Sequence, residues 1–208
     1  MRLRTSLVLS VGLLLPASGF CSPIIVFQET FDELTGQAAV TSAGGFTATV
    51  GNVDIVGPGY FPNLCNTSPL SDNCADLDGS VQGTISSGSF AFLPGFTYTL
   101  SFDLVGSQRG NTTSTLVTLG SIYSHTFTLA SRDFTDGIVS LPFSVLAPTN
   151  AALIFASQTS GNIGSVLDNI LITEVSGVTT PEPATLGLAG LGLCLFGLAR
   201  RRISRQRR

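Results

Sequence analysis

The chain has 208 residues, of which 43% are hydrophobic and 11% charged, with a net charge of −3. All ten basic residues are arginines, and only Arg109 and Arg132 lie away from the two ends, whereas twelve of the thirteen acids fall between Glu29 and Glu174. The interior therefore carries two arginines against twelve acids, a net −10, which excludes nucleic acid as a partner because phosphate binding needs clustered cations.

The chain opens with MRLRTSLVLSVGLLLPASGFCS, in which Arg2 and Arg4 precede an apolar run from Leu7 to Leu15. Small residues follow Pro16. This is the layout of a secretory signal peptide over residues 1–19, with Ala17-Ser18-Gly19 as the cleavage site. The run is short for a bilayer span, which needs about 20 apolar residues. Cys21 does not read as a lipid-attachment site, because Phe20 stands where a small residue is required.

Residues 20–174 alternate apolar and polar side chains with period two, and no long helical stripe interrupts them. Strands are expected at 24–27, 46–55, 82–85, 89–92, 96–104, 115–119, 123–129, 139–145, 152–156 and 166–174. In 96–104, Phe96, Tyr98, Leu100, Phe102 and Leu104 share one face. In 123–129, Tyr123, His125, Phe127 and Leu129 do the same. Pro142 marks its strand as an edge or a bulge. Gly, Asn, Asp and Pro punctuate the runs at short intervals, so the fold class is all-β, an antiparallel, jelly-roll-like β sandwich.

Cys65 and Cys74 lie nine positions apart in NLCNTSPLSDNCADLDGS. In an exported protein they are expected to form a disulfide that pins a polar loop. DLDGS, residues 76–80, resembles half of a calcium loop but lacks the later acidic ligands. In SVLDNILITEV, Asp168 has the parity of Ile170 and Ile172, and a carboxylate on an apolar face needs a partner or a cation.

The chain closes with VSGVTTPEPATLGLAGLGLCLFGLARRRISRQRR. Residues 175–183 form a linker ending in Pro181-Glu182-Pro183. Residues 184–199 form an apolar segment, expected as a single transmembrane helix about 24 Å long. Arg200, Arg201, Arg202, Arg205, Arg207 and Arg208 follow, and the positive-inside rule places them in the cytoplasm. The sandwich then faces outward, in agreement with the signal segment.

This three-part tail resembles the PEP-CTERM sorting signal of Gram-negative bacteria. The resemblance implies an exosortase as partner, a membrane-embedded cysteine transpeptidase that cuts near the PEP motif, with delivery to the cell surface or extracellular matrix. The interior is similar to galactose-binding-like domains through DLDGS, GSQRG and GNIGSVLDNI, at residues 76–80, 106–110 and 161–170. That likeness implies a structural calcium joining an acid near the first strand, Asp32 with Glu29 as substitute, to Asp168 in the last. An equal reading makes these acids turn formers. Arg109 in GSQRG reads as the salt-bridge partner of one acid.

A serine-type triad would have to use His125, whose parity puts it among core aromatics, and no G-x-S-x-G elbow is present. The expected function is thus that of an exported, non-catalytic surface or matrix protein whose sandwich binds polysaccharide. A structural or adhesive coat protein and a glycan-active enzyme are the alternatives. Tyr60, Phe61 and Tyr123 are the aromatics available to stack on a sugar, and the chain has no tryptophan.

Overall fold

Strands that bury every second side chain satisfy a period-two pattern only by pairing two sheets face to face. The computed structural model describes residues 22–65, 70, 72–176, 187 and 190–192. Among them are thirteen strands: β1 (Ile24–Glu29), β2 (Gln37–Val40), β3 (Ser42–Ala43), β4 (Phe46–Val50), β5 (Val53–Val56), β6 (Cys74–Asp76), β7 (Thr84–Phe92), β8 (Phe96–Val105), β9 (Thr113–Leu119), β10 (Tyr123–Leu129), β11 (Ile138–Phe143), β12 (Thr149–Ser157) and β13 (Val166–Ser176). The seven-stranded sheet runs β11-β8-β13-β6-β5-β2, with β1 also paired to β13. The six-stranded sheet runs β10-β9-β12-β7-β4-β3. All pairs are antiparallel, and the all-β sandwich is as expected.

β13 is the spine of its sheet. β8 pairs along one side of it, while β6 takes its start at Val166 and Leu167 and β1 its end, from Ile170 to Glu174. The core between the sheets is aromatic. Phe102 of β8 meets Phe155 of β12 edge-on at 5.2 Å, and Tyr98 meets Phe92 at 4.9 Å. Each such ring contributes about 1.5–3 kcal/mol by burial. The hydroxyl of fully buried Tyr98 accepts a 2.9 Å hydrogen bond from the Leu93 N–H, so its polar end stays paired.

Several boundaries differ from expectation for local reasons. The run 46–55 is two strands in different sheets, because Gly51 adopts φ +57° and turns the chain at Asn52. Conversely, 82–85 and 89–92 are one strand, β7. Its register slips opposite Leu153, whose N–H bonds the Ser87 Oγ at 2.9 Å in place of a ladder partner. β2, β3 and β6 are too short for a period to be read. β13 continues to Ser176, past the expected linker boundary. Pro142 does lie on an edge strand, β11.

β10 is also an edge. There Phe127 and Leu129 are buried, but His125 is exposed, contrary to its expected place in the core. The signal segment 1–19, the PEP motif and the arginine cluster lie outside the described residues. Of 184–199, Gly187, Gly190, Leu191 and Gly192 are described, and all four are helical. Among the described residues no helix is long and apolar enough to cross a membrane.

A second, smaller apolar cluster sits on the outer face of the seven-stranded sheet. Val56, Val105 and Val166 project there beneath Cys65, Leu70 and Cys74, with Tyr60 and Leu64 alongside. Cys65 and Cys74 are disulfide-bonded, with Cα atoms 5.8 Å apart. The pairing is the expected one. Cys65, Leu70 and Cys74, however, belong to an apolar cluster, where the sequence suggests a merely polar stretch. Replacing both cysteines by alanine should cost about 2–3 kcal/mol, from the loop entropy of a nine-residue separation. Urea unfolding under oxidising conditions measures this, and an unchanged midpoint would remove the disulfide as a stabilising element.

Candidate functional site

Three segments that are far apart in sequence meet at one end of the seven-stranded sheet: the end of β6 with the turn after it, the β8–β9 connection, and the β12–β13 connection. Asp76, at the end of β6, is 2% exposed. Its Oδ1 accepts the N–H groups of Asp78 (3.1 Å) and Gly164 (3.0 Å), and its Oδ2 pairs with the Arg109 Nη2 at 2.7 Å. The same Arg109 nitrogen donates to the carbonyl of Asn162. Asp78 is fully buried, accepting from the Gly83 N–H at 3.1 Å and the Ser157 hydroxyl at 3.0 Å. Beside them the Ser165 hydroxyl bonds those of Thr113 (2.8 Å) and Thr115 (3.0 Å). Buried polar groups are tolerated here because each has a partner.

Burial pushes the Asp76 carboxyl up to about 6, against the lowering pull of the Asp78 N–H, Arg109 and the Gly164 N–H, while the Asp78 charge adds to the rise. Asp78 is also raised by burial, opposed by the Ser157 hydroxyl, the Gly83 N–H and Arg109. Arg109 is the salt-bridge partner that its isolation among acids suggested. Its partner is Asp76, in a stretch whose sequence interest was a half calcium loop.

Held in this way, Arg109 forms one wall of a cleft of about 260 Å³, whose other lining residues are Phe61, Pro62, Asn63 and Leu64. Leu64 packs on the apolar cluster beside the disulfide. Phe61 adopts φ +51°, a left-handed conformation costly for a side chain with a Cβ, and is 54% exposed. Its ring stands edge-on to Tyr60 at 4.5 Å. The cleft thus offers an exposed apolar ring, the Asn63 amide and a guanidinium fixed by an internal carboxylate. Of these, Phe61 and Arg109 were singled out in the sequence. Pro62, Asn63 and Leu64 carried no signal.

The acids expected to hold calcium each accept backbone N–H groups. The Glu29 carboxylate accepts the N–H groups of Phe31 (2.8 Å) and Gly45 (2.7 Å), tying β1 to the β3–β4 turn across the two sheets. Asp32 accepts the Asn73 N–H at 3.3 Å, and buried Asp168 accepts the Asn169 N–H at 2.7 Å. Among the described residues no group of three or more His, Cys, Asp and Glu side chains is gathered to hold a metal. Asp168 does not share a side with Ile170 and Ile172. Asn169 adopts φ +52° in a bulge, so Leu167 joins those isoleucines in the main core while Val166 joins the outer cluster. Asp168, between Leu167 and the bulge, takes the outer side.

His125 contacts the rings of Tyr123 and Phe127, the latter at 4.6 Å. Tyr123 is half-buried against the main core, and burial raises its hydroxyl pKa. Neither residue lines the cleft.

The fold and site define an all-β, two-sheet sandwich with a small cleft on one outer face. A family model described as the PEP-CTERM protein-sorting motif matches residues 179–203. The match takes in Pro181, Glu182, Pro183, Arg200, Arg201 and Arg202, and ends before Arg205. No curated protein matches the chain. Among solved structures, the CBM22-1 xylan-binding domain of Paenibacillus barcinonensis Xyn10C is similar at 14% identity and a TM-score of 0.48, covering 76% of this chain and 99% of that one. CBM35 from the same organism is similar at 13% identity and a TM-score of 0.37, covering 70% and 97%. CBM35 from Cellvibrio japonicus Abf62 is similar at 8% and 0.37, covering 73% and 95%. Likeness at this level assigns no ligand.

Arg109→Ala would strip the buried Asp76 carboxylate of its counter-charge. The expected loss near pH 8 is about 2–3 kcal/mol, below that of a fully buried pair because 33% of the Arg109 side chain is exposed. The folded pKa of Asp76 lies above its unfolded value, so the folded state binds the proton more tightly and the loss should shrink as pH falls from 8 through 6. Urea unfolding of both proteins at pH 8 and pH 5 checks this. A deficit independent of pH would show that Arg109 does not act through Asp76.

Proposed function

We propose that this is an exported cell-surface or extracellular-matrix protein, held in the membrane by its tail until an exosortase cuts near Pro181-Glu182-Pro183. The observation that carries the reading is the PEP-CTERM protein-sorting motif at residues 179–203, C-terminal to a β sandwich. The chemistry of the tail supports it. Two prolines remove backbone donors and disfavour helix at and before them, which suits recognition by a membrane protease. The arginines that follow the apolar segment favour the cytoplasmic side and stop transfer there.

The sandwich acts as a binding module without turnover, and saccharide is the ligand class that suits the cleft. Phe61 offers an apolar ring to the C–H face of a sugar. Asn63 and Arg109 offer donors to its hydroxyls. Pairing with Asp76 offsets the guanidinium charge, which suits a neutral or weakly charged sugar better than a polyanion.

Two experiments test these halves separately. Replacement of Pro181-Glu182-Pro183 by alanines should leave a membrane-retained protein with its C-terminus intact, whereas the native protein loses both ends; intact mass and fractionation decide. Equal C-termini in both would end the exosortase reading. Phe61→Gly should abolish retention on the exopolysaccharide of the producing cells while raising stability by about 1 kcal/mol, since glycine adopts φ +51° without strain. Retention unchanged by Phe61→Gly would exclude the cleft, and release of soluble sugar would make the protein an enzyme.

A further inference from the structure

The two sheets differ sharply in charge. Six carboxylates lie on strands of the seven-stranded sheet: Glu29, Asp54, Asp76, Asp103, Asp168 and Glu174. The six strands of the other sheet contain no Asp, Glu, Lys or Arg at all. A solvent-facing sheet ordinarily carries charges that discourage unwanted pairing, so their absence across a whole sheet is informative.

Register shows what occupies the outward positions instead. One row crosses the entire sheet as Ser124–Thr118–Ile154–Ser86–Thr47–Ser42. At a strand spacing of about 4.8 Å, it spans about 24 Å. The next row reads Thr126–Leu116–Ala156–Thr84–Val50, and Val50 is exposed. Leu116, Ile154 and Ala156 form a half-buried aliphatic strip along β9 and β12, with hydroxyls on both flanks; Ser42, Thr47, Ser124 and Thr126 are exposed.

We infer that the outward face of the six-stranded sheet is a second binding surface, for an extended uncharged polysaccharide. The inference takes its ligand class from the saccharide reading above but places it on the sheet opposite the cleft. Such a chain presents apolar C–H faces and neutral hydroxyl edges, matching an aliphatic strip between rows of groups that each donate and accept. A polyanion would find no cation on this face and a sandwich of net charge −10 behind it. A protein partner fits less well, because protein interfaces are enriched in aromatic residues and depleted in Ser, whereas these rows are mostly Ser and Thr, with Leu116, Ile154, Ala156 and Val50 and no aromatic residue. With sites on opposite faces, one molecule bridges two glycan chains.

The test uses the full chain, with Thr47→Glu/Thr126→Glu placing two charges at exposed positions and Thr47→Ser/Thr126→Ser preserving the hydroxyls. Retention is measured on insoluble β-1,3-glucan and cellulose, and on chitosan and alginate beads as charged counterparts. Thermal unfolding verifies that both variants fold, and sedimentation reports their association state. The expected result is retention on a neutral glucan, weakened about tenfold or more by the glutamates and unchanged by the serines. Loss with Phe61→Gly but not with the glutamates would assign the glycan to the cleft and overturn the second surface. The converse would leave the sheet face and remove the cleft. Retention only on charged beads, or on none, would overturn the inference. So would an oligomer that the glutamates dissociate, since the face would then belong to a second copy.

Discussion

The Asp76–Arg109 pair is the constraint on which the cleft end of this sandwich depends. A carboxylate 2% exposed cannot stay charged at low cost without a counter-ion and donors, and here one arginine and two backbone N–H groups supply them. Each partner comes from a different connection. Satisfying one buried charge therefore fixes the end of β6, the β8–β9 connection and the β12–β13 connection against one another. It also decides where the guanidinium stands, and with it one wall of the cleft. Burial outweighs the pairing in setting the Asp76 carboxyl, which lies above the ordinary carboxylate range.

Around that pair the molecule divides its work between two sheets. The seven-stranded sheet carries the strand carboxylates, the disulfide-covered apolar cluster and the cleft. The six-stranded sheet carries hydroxyls and aliphatic side chains outward and Phe46, Phe92, Phe127 and Phe155 inward. Both bury their inner faces in the same way, so the asymmetry is a property of the outer faces alone. Core packing tolerates almost any residue on a solvent-facing strand position, which leaves those positions free for recognition.

Phe61 illustrates how local strain and exposure coincide at a candidate site. A non-glycine residue at φ +51° with more than half its surface in water gains little from burial to offset its backbone cost. The neighbouring contacts hold it there: Tyr60 packs on the outer cluster and Leu64 anchors the far end of the cleft-lining stretch. The disulfide at Cys65 follows at once, so the covalent link bounds the stretch that lines the cleft.

Much of this was legible in the sequence. Period two in 96–104 identified Tyr98, Leu100, Phe102 and Leu104 as core, because strand side chains alternate whatever the sheet does. The sorting tail was equally legible, since its order of prolines, apolar run and arginines is a local pattern. The Cys65–Cys74 pairing followed from compartment and spacing. What alternation could not carry was its own interruption. One left-handed residue, Asn169, moves Asp168 to the other side of its strand, and an edge position leaves His125 in water despite its parity. Nor could the sequence pair Arg109 with Asp76, 33 residues apart, or align six hydroxyl-bearing strands into rows. Those depend on register and on the meeting of connections, which are set by the packing of two whole sheets. Local chemistry determined the longer strands, the disulfide and the tail motif; the tertiary structure alone decided which polar residues share a cleft and which share a face.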